Sequence, residues 1–324
     1  MEFMPNFRLH RPTSTEEAVQ LRSEEPESLF VAGGTDMIVN VRRGIEQPKN
    51  LIDLSAVKGL KAITEDDQGL HIGAGVELGR LVTSDKIKLD YPAVAEAAAA
   101  VAGNTHQQYG TLGGNLCLDT RCLFYNQSEW WRQSNDYCMK ERGEICHVAP
   151  GGKRCFAAFS GDVAPAMLVY QAEVELIGPD GIRKIPLSEM YQNDGMDHLA
   201  LNFGELVSSI HLPKALAGSP SRYEKARIRG SIDFPLAGVA VRLEMNGNKV
   251  KDIAIALTGV NPSPLNIKGI ENNIGNVLDD SILDKLRENV RKQAKPMKTT
   301  TVAPWYRRRV VGALARRLTA ELAG

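Results

Sequence analysis

All five cysteines of the 324-residue sequence lie within 39 consecutive positions, from Cys117 to Cys155. Random placement would scatter them, so this segment has a chemical purpose of its own. The last four are Cys122, Cys138, Cys146 and Cys155, and the gaps between them are 15, 7 and 8 residues. Thiolates bind zinc and iron–sulfur clusters, and paired thiols form disulfides under oxidising conditions. The segment therefore poses a choice among three kinds of site.

The three interpretations of the four cysteines differ in the spacing and environment that they require. Disulfides are disfavoured because we expect a cytoplasmic protein, in which thiols stay reduced. A structural zinc site normally contains closely spaced cysteine pairs, which this segment lacks. An iron–sulfur cluster tolerates wider gaps because the cluster itself spaces its ligands. We therefore predict a 4Fe–4S cluster on Cys122, Cys138, Cys146 and Cys155, and structural zinc remains the alternative.

Two further residues of the segment are candidate ligands that we set aside. Cys117 follows a glycine motif closely, so we expect a small buried apolar side chain there. His147, beside Cys146, is an alternative ligand, but a lone histidine is more often solvated. The segment is polar apart from a few aromatic residues, which we expect to form a small apolar centre: Phe124, Tyr125, Trp130 and Trp131.

Two glycine motifs, AGGTD (32–36) and TLGGN (111–115), suit the binding of phosphate groups. Glycine adopts positive φ and allows a ligand to approach the backbone closely, so we expect positive φ at Gly33 and Gly114. Exposed N–H groups in such turns form nests for phosphate oxygens. Either motif alone is as readily a simple tight turn. Together they suit the pyrophosphate of a dinucleotide.

The remaining pattern predicts the elements that position these motifs. A capping box at Ser14 predicts a short helix, and alternation in AMLVYQAEVELIG predicts a strand. PKALAGSP is a plausible linker, after which a hairpin with a Gly-Asn turn is expected to pair Val239, Val241 and Leu243 with Ile253, Ile255 and Leu257. Two helices, over DDSILDKLRENVRKQ and from Pro304 onward, complete a small α+β domain.

Composition excludes several classes of partner. The 39 basic and 39 acidic residues produce no net charge to attract nucleic acid or anionic membranes. A run of arginines near the C-terminus, which includes Arg307, is interpreted as a solvated helix face. No apolar run reaches the ~18 residues of a membrane span, and no secretory signal is recognisable. We therefore expect a cytoplasmic protein that binds neither nucleic acid nor membrane.

Four segments, in this order, carry a resemblance to a known family: LFVAGGTDM, GTLGGN, SGDVAPAMLVYQAEVEL and ALTGVNPSP. They resemble the FAD-binding (medium) subunit of the xanthine dehydrogenase and carbon monoxide dehydrogenase family of molybdenum hydroxylases, and the resemblance spans nearly the whole chain. Members of that family typically lack the cysteine-rich insertion. In having it, the sequence is most similar to the β subunits of the 4-hydroxybenzoyl-CoA reductase branch.

The resemblance implies a fold and a division of the chain. The fold class is α+β, with two α/β subdomains forming an FAD-binding domain of the vanillyl-alcohol-oxidase (PCMH-like) type over 1–215. The iron–sulfur insertion would occupy about 119–157. A small domain of antiparallel strands and helices would follow over 216–324.

The resemblance also implies which residues contact FAD, motif by motif. Asp162 matches an acidic position near the adenosine, and Val207, Glu224 and Lys225 match positions near the isoalloxazine, with either Glu224 or Lys225 in the aligned place. The other implied FAD contacts are Leu29, Phe30, Val31, Ala32, Gly33, Gly34, Thr35, Asp36, Val101, Thr111, Leu112, Gly113, Gly114, Asn115 and Leu118.

The implied function is electron transfer within a larger enzyme. The six histidines are scattered, and no acid–base or nucleophilic group stands out, so we expect no catalytic residue on this chain. The family's partners are a large molybdopterin subunit and a small subunit with 2Fe–2S clusters, expected as a dimer of heterotrimers. The expected reaction is the reductive dehydroxylation of 4-hydroxybenzoyl-CoA to benzoyl-CoA, with ferredoxin as electron donor. The alternative is a non-catalytic FAD- or nucleotide-binding module whose zinc loop docks a partner.

Overall fold

The computed structural model describes residues 4–324. The strands in this range are β1 (Arg8–His10), β2 (Ser28–Val31), β3 (Asn50–Asp53), β4 (Ile63–Glu65), β5 (Gly69–Gly73), β6 (Glu173–Gly178), β7 (Gly181–Pro186), β8 (Leu206–Pro213), β9 (Ser221–Ala226), β10 (Ala237–Asn246), β11 (Lys249–Thr258) and β12 (Leu265–Asn266). The α-helices are α1 (Thr15–Glu24), α2 (Met37–Arg42), α3 (Leu78–Thr83), α4 (Asp85–Asp90), α5 (Pro92–Ala100), α6 (Asn104–Gln107), α7 (Leu112–Leu116), α8 (Glu129–Ser134), α9 (Val163–Val169), α10 (Asp280–Gln293) and α11 (Pro304–Ala323).

The strands form three sheets. A parallel sheet has the order β1-β3-β2, and a five-stranded sheet has the order β4-β5-β8-β6-β7. The third sheet, β12-β11-β10-β9, is antiparallel and belongs to the C-terminal part. The predicted capping box at the first helix is confirmed in one half, since the Ser14 hydroxyl accepts from the Glu17 N–H at 3.1 Å. The Glu17 carboxylate accepts from the Thr13 N–H at 2.7 Å and not from that of Ser14. The chain thus mixes helix and sheet, as predicted.

The largest core lies where α5 and α9 pack with the five-stranded sheet. Every residue of α9 is buried. The predicted strand over AMLVYQAEVELIG is therefore wrong in its first half, because AMLV ends α9 and β6 begins only at Glu173. The physical reason is that a uniformly apolar run carries no periodicity to distinguish a buried helix from a buried strand.

The C-terminal hairpin has the predicted register. Val239 pairs with Leu257, Val241 with Ile255 and Leu243 with Ile253, around the Gly-Asn turn. Helices α10 and α11 pack together, and their apolar side chains share one core with this hairpin. Alternating apolar side chains on both strands need a cover on one face, and the two helices supply it.

The cysteine-rich segment forms a compact excursion closed at its base. Arg121 and Ala158 exchange two backbone hydrogen bonds of 2.7 and 2.8 Å, so the chain leaves and re-enters the domain at one place. Tyr125 is buried in a cluster with Cys122 and Cys155. Trp130, predicted to lie at the apolar centre, is instead 74% exposed on α8.

Within residues 4–324, no helix combines the length and apolarity that a membrane crossing requires.

Candidate functional site

A cavity of about 420 Å³ lies between the parallel sheet and the segments that carry the second glycine motif. This volume is in the range of sites for small molecules and cofactors. Its lining combines backbone of both glycine motifs with apolar and charged side chains: Phe30, Ala32, Gly33, Asp53, Leu54, Ser55, Leu60, Lys61, Ala74, Gly75, Glu77, Gln108, Tyr109, Thr111, Gly113, Gly114, Cys117, Leu201, Glu205, Leu206 and Val207. The structure therefore brings the two predicted motifs to one site.

The first glycine motif offers unused hydrogen-bond donors. Among the hydrogen bonds of residues 4–324, none has the backbone N–H of Gly33, Gly34, Thr35 or Asp36 as its donor. These N–H groups directly precede α2, where the helix dipole also favours an anion. The turn between β2 and α2 thus has the properties of a phosphate nest.

The glycines of this motif are required for two different reasons. Gly34 has a φ of +70°, which is costly for any residue with a Cβ. The expected positive φ at Gly33 and Gly114 is wrong, since neither has one. Gly33 is instead required by space, because a Cβ there would lie 1.7 Å from the Tyr109 carbonyl oxygen. The first motif therefore packs against the backbone of Tyr109 and Gly110, directly before the second motif.

The second glycine motif forms helix α7 rather than an open turn. The Thr111 hydroxyl accepts from the Gly114 N–H at 3.1 Å. The N–H groups of Leu112 and Gly113 donate to the carbonyls of Val76 and Ala74, at 2.9 and 2.8 Å. These donors are already used, so the motif contributes a close-packed wall to the cavity, whereas the first motif contributes free donors.

Charged and polar residues of the lining were missed from the sequence. Asp53 ends β3 and Ser55 follows it, beside the end of β2 that leads into the first motif. Lys61 and Glu77 lie 3.6 Å apart across the cavity edge. The available signal was topological, because ligands of open parallel sheets bind at the carboxyl ends of the strands. Parallel pairing of β2 with β3 was needed to apply that rule.

The predicted FAD contacts fall into three groups in the structure. Those that line the cavity are Phe30, Ala32, Gly33, Thr111, Gly113, Gly114 and Val207. Those that belong to or flank the two motifs without lining it are Leu29, Val31, Gly34, Thr35, Asp36, Val101, Leu112, Asn115 and Leu118. Those that lie elsewhere are Asp162, Glu224 and Lys225.

The third group lies where the C-terminal sheet meets the N-terminal part of the chain. The buried Asp162 carboxylate accepts from the Tyr223 hydroxyl at 2.6 Å and from the Lys225 ammonium at 2.9 Å. Burial raises the pKa of Asp162, and the charge of Lys225 opposes that rise. Glu224, on the opposite face of β9, forms an ion pair with Arg317 of α11. Lys225 and Glu224 are thus both engaged in ion pairs within the chain.

A second, smaller cavity is lined by all four predicted metal ligands. Cys122, Cys138, Cys146 and Cys155 are free thiols, and three of them are buried. The rest of the lining consists of Phe124, Tyr125, Met139, Lys140, His147, Val148 and Ala157. Cys117 lies outside it and lines the larger cavity instead. Residues separated by up to 33 positions thus converge on one point.

The thiols of the smaller cavity are perturbed by burial and by one another. Burial raises the pKa of Cys122 to about 11, and the charges of Cys138 and Cys146 also raise it. Burial raises the pKa of Cys155 to about 12, and Lys140 opposes this rise. Backbone N–H groups near three of the thiols favour their ionised form, for example the Ala157 N–H at 3.4 Å from the Cys155 sulfur. Thiolates would therefore be stabilised here by a bound cation.

Within residues 4–324, no three His, Cys, Asp or Glu side chains are close enough to hold a single metal ion. The four cysteines line one cavity without forming such a group. Their arrangement therefore differs from the tight tetrahedral set of a structural zinc site.

A short stretch of chain joins the two cavities. Cys117 lines the larger cavity, and Cys122, five residues later, lines the smaller one. Five residues span at most ~18 Å when fully extended. Arg121, beside Cys122, forms an ion pair with Asp36 of the first glycine motif. The two sites are thus linked both covalently and electrostatically.

Comparison with known proteins decides the family. Residues 5–215 match the model of the FAD binding domain in molybdopterin dehydrogenase, and residues 221–322 match that of the CO dehydrogenase flavoprotein C-terminal domain. The chain belongs to this family. It is an FAD-binding medium subunit of the xanthine dehydrogenase and carbon monoxide dehydrogenase type, which confirms the predicted family, the FAD cofactor and the role as an oxidoreductase subunit.

Individual relatives agree with this assignment. The aldehyde oxidoreductase FAD-binding subunit of Escherichia coli strain K12 is 31% identical over 83% of this chain and 86% of that protein. The carbon monoxide dehydrogenase medium chain of Afipia carboxidovorans is 27% identical over 96% of this chain and 95% of that one. Reconstituted CO dehydrogenase from Oligotropha carboxidovorans has a chain that superposes with a TM-score of 0.82, at 26% identity and 99% coverage of both chains.

Proposed function

We propose that this family member carries FAD together with a 4Fe–4S cluster, and that it transfers electrons within a molybdenum-containing reductase. The observation that carries the proposal is the convergence of Cys122, Cys138, Cys146 and Cys155 on one cavity. A cubane cluster needs four thiolates, held further apart than the ligands of one ion, because each binds a different iron. When bound, such a cluster accepts and releases single electrons.

The donor set fits that group. The four cysteines form no disulfide, three of them are buried, and backbone N–H groups near three of the thiols favour the thiolate. Hydrogen bonds of this kind to ligand sulfurs are a feature of iron–sulfur sites, where they tune the potential. The alternative, structural zinc in a docking loop, requires a tetrahedral set of ligands around one ion, and no such set is found among the described residues.

Protein purified without oxygen tests the cluster directly. We expect a broad absorbance near about 400 nm beside the flavin bands, and about four iron and four sulfide per chain. Zinc in place of iron would support the docking module and reject electron transfer through this segment.

For FAD we propose that the pyrophosphate binds the first glycine motif. The N–H groups of Gly33 to Asp36 are free donors next to the N-terminus of α2, and the second motif walls the same cavity. The predicted contacts at Asp162, Glu224 and Lys225 are proposed to act on the flavin only through the position of β9. Their side chains are engaged in ion pairs within the chain.

For the whole enzyme we propose a reductase of 4-hydroxybenzoyl-CoA that removes the phenolic hydroxyl. Support comes from the cysteine-rich insertion, the sequence feature shared with that branch of the family. The substrate would react on a large molybdopterin subunit. A small 2Fe–2S subunit would carry electrons between that subunit and this chain. The complex would be a dimer of heterotrimers that receives its electrons from ferredoxin.

Reconstitution of the complex tests this assignment. The isolated chain should reduce artificial dyes through its flavin and leave the aromatic thioester unchanged. The complex with both partners should convert 4-hydroxybenzoyl-CoA to benzoyl-CoA. Turnover of the thioester by the isolated chain would reject its role as an electron-transfer subunit. If the complex instead oxidises an aldehyde or a purine, the proposal of 4-hydroxybenzoyl-CoA as the substrate is wrong.

A further inference from the structure

His147 contributes an unused nitrogen to the wall of the four-cysteine cavity. The residue lines that cavity together with its neighbour Cys146. Its Nε2 atom is buried and has no hydrogen-bond partner among residues 4–324. The imidazole lies against the ring of Phe124, with centroids 5.5 Å apart, which restricts its orientation. Buried polar atoms without a partner are rare in native proteins and call for a specific explanation.

Lys140, the cationic side chain of the lining, has no free donor to offer. Its ammonium lies 2.6 Å from Asp119, 2.6 Å from the Thr120 hydroxyl and 2.9 Å from the Gly195 carbonyl. An ammonium has three N–H groups, and these three acceptors use all of them. His147 therefore differs from Lys140 in having a buried ring nitrogen that no group of residues 4–324 hydrogen-bonds.

We propose that the Nε2–H group of His147 donates a hydrogen bond to a sulfur of the cluster bound by the four cysteines, and that it thereby raises the reduction potential of that cluster. The inference rests on the proposed 4Fe–4S site and deepens it. His147 is a positioning and tuning residue here, and it is not a ligand, because four thiols already complete the ligand set.

The direction of the effect follows from charge. One-electron reduction makes the cluster and its thiolates more negative, so a hydrogen bond to sulfur is stronger in the reduced state than in the oxidised state. Removal of the donor therefore destabilises the reduced state selectively. The potential of the cluster must fall, and the FAD of the same chain is left unchanged.

Three variants of the full chain in its complex separate this role from packing. His147→Leu removes the donor, His147→Gln retains an N–H at similar reach, and Val148→Ala removes lining carbon without removing a donor. The cluster is titrated with dithionite as the electron source and followed by electron paramagnetic resonance. For His147→Leu we expect about a tenfold lower equilibrium constant for reduction, which is 59 mV for one electron. For the other two variants we expect the equilibrium constant for reduction to change by less than about twofold, which is ~20 mV in the reduction potential.

The outcomes distinguish this inference from the proposed function. If His147→Leu keeps four irons and its cluster has an unchanged reduction potential, the proposed hydrogen bond is wrong, and the proposed cluster is still supported. Loss of iron from both histidine variants would make His147 a ligand and overturn the inference as well. Absence of iron from the unmodified protein would reject the proposed cluster itself.

A measurement without any substitution guards against variants that fail to fold. Histidine labelled with ¹⁵N is incorporated into the unmodified chain, and the reduced cluster is examined by pulsed electron paramagnetic resonance. A hydrogen-bonded imidazole should give a weak nitrogen coupling. A strong coupling indicates direct ligation and no coupling indicates a distant ring, and either result would overturn the inference.

Discussion

The Lys225 ammonium lies 2.9 Å from the Asp162 carboxylate, and the two side chains are 3% and 4% exposed. Lys225 is on β9 of the C-terminal sheet, and Asp162 directly precedes α9 of the N-terminal part. The Tyr223 hydroxyl donates to the same carboxylate at 2.6 Å. This buried pair therefore joins the two matched domains of the chain, and it does so without lining the larger cavity.

Removal of one partner from this pair should destabilise the chain. Lys225→Met leaves a buried carboxylate with only the tyrosine hydroxyl, and breaking a buried pair in this way costs about 3–5 kcal/mol. Urea unfolding followed by circular dichroism measures the loss. The double variant Asp162→Asn with Lys225→Met, in which no buried charge remains, should recover a large part of it. If the single and the double variant lose the same free energy of unfolding, then lost packing, and not the unpaired buried charge, causes the destabilisation.

The Lys225→Met defect should depend on pH. Burial holds the pKa of Asp162 above its ordinary value, and loss of the lysine charge raises it further. Between the unfolded and folded pKa values the folded state binds more protons, so stability falls as pH rises through that window. The free-energy deficit of Lys225→Met should therefore be smaller at pH 5 than at pH 8. A deficit that does not change with pH would place the lost stability elsewhere.

Gly33→Ala should weaken FAD binding strongly. The added Cβ would lie 1.7 Å from the Tyr109 carbonyl oxygen, so the first motif must move away from the segment that leads into the second. We expect a rise of at least about tenfold in the Kd of FAD, measured by flavin fluorescence, since ~1.4 kcal/mol of lost contact suffices. Gly151→Ala is the matched control, because a Cβ there meets nothing within 4 Å. Full flavin occupancy in Gly33→Ala would show that FAD does not bind at the first glycine motif.

Single cysteine variants should divide into two classes. Alanine at Cys122, Cys138, Cys146 or Cys155 removes a thiolate from the smaller cavity and should abolish the full iron content while FAD remains. Cys117→Ala should keep about four irons per chain, since Cys117 lines the other cavity. Iron and sulfide analysis of the five proteins is the measurement. The ligand assignment fails if Cys117→Ala loses iron and one of the other four keeps it.

Cluster reconstitution in the apo-protein should be favoured by higher pH. Burial raises the pKa of Cys122 to about 11 and that of Cys155 to about 12, so both are protonated in the metal-free chain at neutral pH. Iron must displace those protons, and metal affinity then increases with pH. Iron uptake from a buffered competitor at pH 6.5 and 8.5, with proton release recorded in weak buffer, checks this. Uptake that is independent of pH would contradict protonated ligand thiols.

Local chemistry in the sequence was sufficient for much of this architecture. The register of the C-terminal hairpin follows from strict alternation around a Gly-Asn turn, and the first helix follows from its Ser14 cap. The cysteine-rich segment was recognisable because its composition departs from the rest of the chain. Such features depend on neighbours in sequence, so the linear order of residues is enough to find them.

Contacts between distant segments could not be predicted in the same way. A Cβ at Gly33 would meet the Tyr109 backbone, so the requirement for glycine is visible only once these two distant segments are packed together. Arg307, interpreted as solvated, is 1% exposed and donates to the carbonyls of Leu236 and Met297. His147 has a buried nitrogen, although a lone histidine in a polar segment is usually solvated.

The sequence predicted the family and its FAD cofactor through the resemblance that its motifs carry, and the clustering of its cysteines indicated which four are candidate ligands. Tertiary structure alone decided that these cysteines meet at one cavity, that the first glycine motif keeps its donors free, and that Asp162 holds Lys225. The reason is that burial and pairing are properties of three-dimensional proximity. A charged or polar side chain has the same identity in the sequence whether it faces water or a partner, and only the packed chain settles which of the two it meets.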